Sequence, residues 1–80
     1  MTRPTTPEGI RAEAEEFAKE DLRCHRENGV DLNPFSTVGA RDEWQRGFDG
    51  RDLLGYQGLP EYNAFYQRGA AAARLLKEEN

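Results

Sequence analysis

Eighty residues suffice for one small domain, and such a domain buries only about 60 to 65% of the surface its unfolded chain exposes, so it depends on efficient packing. A net charge of -4 with 32% charged residues opposes nonspecific attraction to nucleic acid or anionic lipid, and it favours a basic partner. The one cysteine, Cys24, excludes an internal disulfide. No Cys/His set has zinc spacing, no stretch approaches the roughly 20 apolar residues of a membrane span, and the opening Met-Thr-Arg-Pro-Thr-Thr-Pro lacks a signal-peptide run, which together predict a cytoplasmic protein.

Residues 1 to 6 are expected to be a flexible tail, and residues 7 to 80 a single helical domain. Thr6 is a good N-cap, Pro7 suits the first helical position and Glu8 complements the helix dipole, so the first helix is predicted from Pro7 to Asn28 with Gly29 as its left-handed cap. On a helical wheel Ile10, Ala14, Phe17, Ala18, Leu22 and Cys24 share one broad side, the predicted core side. Asp21 falls inside that arc. It is either buried and paired with Arg41, Arg46 or Arg68, or it marks a helix end open to water, and the rarity of buried aspartate favours the second. The next sector round holds Glu13, Glu16, Glu20 and Glu27, with Arg11, Lys19 and Arg26 elsewhere. Like charges three or four residues apart repel by a few tenths of a kcal/mol per pair, so this row adds nothing evident to folding. By frequency it is a solvated face; as a functional feature it is a line of negative charge offered to a basic groove.

Val30 to Thr37 is a connector in which Pro34 holds Asn33 extended and Val30, Leu32 and Phe35 supply apolar anchors. Ser36 or Thr37 caps a second helix predicted from Val38 to Leu54, which Gly50 would end early. Its core side is Ala40, Trp44, Gly47 and Phe48; Asp42, Asp49 and Asp52 line another. Gly55 to Leu59 is a turn carrying Tyr56. Pro60 and Glu61 then open a third helix whose apolar face is Tyr62, Phe65, Tyr66, Gly69, Ala72, Ala73 and Leu76.

The second and third helices are copies of one device. Trp44-Gln45-Arg46-Gly47 returns 22 residues later as Tyr66-Gln67-Arg68-Gly69, and Leu53-Leu54 falls on Leu75-Leu76. An aromatic residue and a glycine three positions on share a helix face. A mid-helix glycine costs roughly 1 kcal/mol relative to alanine, so two at equivalent places imply a close approach to the backbone. The expected fold is all-α, three helices, with the two related ones crossing at Gly47 and Gly69.

Catalysis finds little support. Cys24 and His25 are sequence neighbours on a helix, pointing about 100° apart, and cannot act as nucleophile and base. No Gly-rich phosphate loop is present. The carboxylates sit on faces where nothing raises a pKa, and Asp21 with His25 offers a metal only two ligands. No catalytic residue, cofactor or metal is therefore expected. Trp44 and Tyr66 could stack on bases, but with apolar neighbours at helical spacing they are more often core, and no basic stripe accompanies them.

Asn33-Pro34-Phe35 followed by Arg41, Trp44, Gly47 and Phe48 resembles, in order and spacing, the signature of the ribosome modulation factor family, small helical bacterial and phage proteins. Tyr66-Gln67-Arg68-Gly69 is similar to that family's glycine-containing helix, although it follows the signature here. The resemblance implies a helical fold, a bacterial or phage origin and, as an alternative function, regulation of translation by ribosome binding through Arg41, Arg46 or Arg68. Family members are strongly basic and carry Cys before the Pro; this chain is acidic and carries Asn33. In size, acidity and carboxylate rows it resembles the small phage-encoded anti-CRISPR inhibitors that imitate nucleic acid. The first expectation is accordingly a non-enzymatic inhibitor, monomer or weak dimer, that binds a basic protein or ribonucleoprotein such as a CRISPR effector through Glu13, Glu16, Glu20, Glu27, Asp42, Asp49 and Asp52.

Overall fold

The computed structural model describes residues 6–52 and 60–79. They form three helices, α1 (Pro7–Asn28), α2 (Val38–Asp49) and α3 (Pro60–Glu79), and no strand among the described residues. The α1 boundaries follow from its ends. The Thr6 side chain accepts a hydrogen bond from Gly9 N at 3.2 Å, and Gly29 adopts φ 69° and closes the helix on His25 O.

Helix α2 is shorter than the repeat predicts. Gly50 takes φ 74°, and its N–H turns back onto the last carbonyls, stopping the helix at Asp49. Asp52 consequently lies beyond the helix and off the row that Asp42 and Asp49 define. Thr37 occupies the N-cap without a side-chain hydrogen bond. Leu53, Leu54 and the turn with Tyr56 lie outside the described residues, as do residues 1–5 of the expected tail.

The close backbone approaches are those of α1 to α3 and of α2 to α3, which makes α3 the central element. The α2–α3 crossing is where the sequence repeat places it. A methyl group built on Gly47 would overlap the Tyr66 carbonyl oxygen and lie 2.9 Å from its carbon and 3.0 Å from Ala70 N. One built on Gly69 would overlap the Trp44 carbonyl oxygen and lie 2.8 Å from its carbon and 3.0 Å from Phe48 N. The contacts are reciprocal, with Gly47 against Tyr66 and Gly69 against Trp44, so the two copies approach through an approximate two-fold relation. At this spacing no residue but glycine fits at either place.

The core beside the crossing is small. Ala18 of α1, Trp44 of α2 and Ala71 and Ala72 of α3 are its buried members, with Leu32, Phe35, Phe48 and Leu75 packed round them. Trp44 stacks on Phe48 with ring centroids 5.1 Å apart. Alanines therefore meet where α1 and α3 share this core, Ala18 on one side and Ala71 and Ala72 on the other. Phe17, expected in the core, is 41% exposed, and Val30 is exposed instead of anchoring the connector. Leu32 and Phe35 do anchor it.

Candidate binding surface

The exposed side of α1 carries the row that the sequence singles out, and the structure shows what flanks it. Glu16, Glu20 and Glu27 are exposed and Glu13 is half-buried. Lys19 reaches Glu16 at 3.4 Å. Arg23 donates from Nε to Glu20 Oε2 at 3.1 Å, forms a second bond with Glu20 Oε1, and lies 3.9 Å from Glu27 Oε2. The Arg23 guanidinium holds the Glu20 carboxyl below the usual carboxylate range, first through that hydrogen bond, and Glu20 in turn raises Arg23. Three of the four carboxylates thus have a cation one turn away on the same helix, while Glu13 has no ion-pair partner among the described residues. Arg23 was not weighed with the row from the sequence. Three residues from Glu20 and four from Glu27, it was legible as their helical neighbour.

The row keeps a negative balance despite these pairs. α1 holds seven carboxylates against four arginine or lysine side chains, so it carries three of the four charges by which acid exceeds base in the chain. On α2, Asp42 is exposed and Asp49 accepts from Gln45 Nε2 at 3.1 Å, whereas Asp52 offers its backbone carbonyl to Arg46 Nη1 at 3.3 Å. The α1 and α2 acids stand on two helices that make no close backbone approach to each other among the described residues.

Behind the α1 row lies a buried ion pair. Asp21, 8% exposed, accepts two hydrogen bonds from Arg68, each 2.6 Å long. The Arg68 guanidinium lies 4.8 Å from the centroid of Phe17 and 5.1 Å from that of Phe35. The open helix end that the rarity of buried aspartate favoured is therefore overturned, because a planar arginine clamped between two rings matches the carboxylate bidentately. Arg41, another partner considered for Asp21, bonds Asp31 at 2.9 Å and the Phe35 carbonyl at 2.7 Å. That bond, with the Asn33 N–H, holds the Asp31 carboxyl below its ordinary value.

The residues carrying the ribosome modulation factor resemblance each hold the scaffold. Asn33 is buried; its side chain donates to Arg41 O at 3.2 Å and accepts from Phe35 N at 3.2 Å, and its own N–H donates to Asp31. Phe35 and Phe48 pack on the core, Trp44 is 2% exposed, and Gly47 makes the crossing. Burial removes Trp44 from any stacking on bases, while the Tyr66 hydroxyl donates to Arg51 O. Cys24 Sγ lies 3.7 Å from Glu20 Oε1, and His25 Nδ1 lies 2.6 Å from Val30 O, so the two side chains serve different neighbours.

Glu43 was missed. It is 0% exposed on α2, and the wheel places it about 40° from Gly47, inside the buried arc. Among the described residues no group of three or more His, Cys, Asp or Glu is placed to hold a metal ion. No helix among them is long and apolar enough to cross a membrane. Compared with protein-family models, curated proteins and solved structures, the chain has no match in any of the three.

Proposed function

We propose that this protein is a non-enzymatic inhibitor that lays the outer side of α1 into the nucleic-acid-binding surface of a basic protein or ribonucleoprotein, of which a CRISPR effector is one example. One observation carries this reading. The helix that holds three quarters of the excess negative charge presents Glu16, Glu20 and Glu27 outward with Glu13 half-buried beside them, while Asp21 and Arg68 tie another side of it to α3. A row on a helix fixed in this way loses little backbone freedom on docking, which favours affinity. The flanking Lys19 and Arg23 limit the charge and supply register, since a partner must place its own cations between them. The ribosome-binding alternative would draw on Arg41, Arg46 and Arg68, whose guanidinium groups are engaged within the chain, and it is not carried further.

The test begins with a partner captured from bacterial lysate in the presence and absence of nuclease. Its affinity should fall as salt rises, and DNA or RNA should compete for the same surface. Replacing Glu13, Glu16 and Glu20 together by lysine should weaken binding by about 10-fold or more at low salt with the fold retained. Wild-type affinity in that triple variant would defeat the proposal.

A further inference from the structure

Glu13, the one member of the α1 row with no ion-pair partner among the described residues, lines an aromatic cleft. The cleft encloses about 190 Å³ between α1, the connector and α3, and its walls include Ile10, Glu13, Phe17, Phe35, Phe65 and Arg68. Phe35 and Phe65 lie 4.6 Å apart, Tyr62 meets Phe65 edge-on at 5.4 Å, and Phe17 is the most exposed aromatic residue among the described ones. Arg68 in the cleft wall adds no net charge, because Asp21 pairs with it through two short hydrogen bonds. The sign of the cleft is thus set by Glu13.

We infer that this cleft receives an arginine side chain from the basic partner, with the guanidinium near the aromatic faces and its N–H groups on the Glu13 carboxylate. The inference rests on the function proposed above and names how the partner is held. Charge complementarity selects a cation, and the flat rings favour guanidinium over the compact ammonium of lysine. Within the same fold Arg68 already lies against Phe17 and Phe35 with a carboxylate in its fork, so these rings accept a guanidinium at 4.8 to 5.1 Å.

The experiment titrates the full chain with N-acetyl-arginine methylamide and, separately, with the neutral N-acetyl-norleucine methylamide, following the ring signals of Phe17, Phe35 and Phe65 by NMR. The arginine probe should move those signals saturably and bind about 5-fold or more tightly than norleucine. Glu13→Gln, a change at a half-buried position, should weaken the arginine probe by about 3- to 10-fold and leave norleucine unchanged. Equal binding of the two probes, or shifts confined to Glu16, Glu20 and Glu27, would overturn the inference. A partner held through Glu16 and Glu20 with the cleft unoccupied overturns this inference alone. Arginine seated in the cleft while lysine replacement of Glu16, Glu20 and Glu27, with Glu13 kept, leaves the partner bound supports the cleft and overturns the functional reading.

Discussion

The two helix pairings of this domain solve the same problem by opposite means. Where α2 meets α3, backbone meets backbone, with Gly47 under the Tyr66 carbonyl and Gly69 under that of Trp44. Where α1 meets α3, side chains intervene, small ones at Ala18, Ala71 and Ala72 and a charged pair at Asp21 and Arg68. The first pairing is defined by shape and has no room for a single added carbon. The second is defined by complementary groups, and complementary groups can be exchanged in concert. An interface of the first kind is conformationally strict, whereas one of the second kind can be tuned without changing the fold.

Substitutions at three positions would break or sharpen this contrast. The largest effect is expected from Gly69→Leu, and Gly69→Ala should already cost about 3 kcal/mol or more, because the obstacle is a carbonyl group and cannot rotate aside. A thermal midpoint unchanged by either would refute the crossing. Next come Asp21→Leu and Arg68→Met, each expected to cost about 2 to 4 kcal/mol by leaving the partner's charge unmatched. The double change Asp21→Leu with Arg68→Met should recover most of that loss in urea denaturation, and a strictly additive pair would show that the ion pair is not coupled. No double replacement should rescue the glycine crossing in this way.

The smallest effect lies in the connector between the two pairings, where Arg41 holds Asp31. The folded-state pKa of Asp31 is depressed, so its contribution is complete above the unfolded carboxyl value and is lost as pH falls through the lower folded value. A carboxyl-carbon NMR titration should place the Asp31 midpoint below that of an ordinary aspartate, and Arg41→Gln should move it upward. A midpoint indifferent to Arg41 would detach the connector from this account.

Much of the fold was legible because its signals are local or repeated. Thr6-Pro7-Glu8 and Gly29 mark the ends of α1 through capping, and the 22-residue repeat revealed both glycines of the crossing. The end of α2 was blurred by that same repeat. Leu53 and Leu54 match Leu75 and Leu76, so the pattern argued for a longer helix while Gly50 argued for a stop, and the left-handed glycine prevailed. The pairing of Asp21 with Arg68 spans 47 residues, and sequence could only name three arginines as candidates. Burial of Glu43 was overlooked because its chemistry argued against the position that helical periodicity assigned to it. For the candidate surface, the wheel gave the four glutamates. It did not give the cleft beside Glu13, which is assembled from α1, the connector and α3 and exists only once they pack.

The mutual seating of Gly47 and Gly69 has a mechanical consequence. Sliding α2 along α3 by one residue would bring Phe48 or Arg68 onto the opposing carbonyl, and every such neighbour carries a Cβ. The pair therefore has one notch, and it can be unseated but not ratcheted. Because α1 is fastened to the same central helix, a pull applied to its acidic side by a bound partner is delivered to a joint that does not creep.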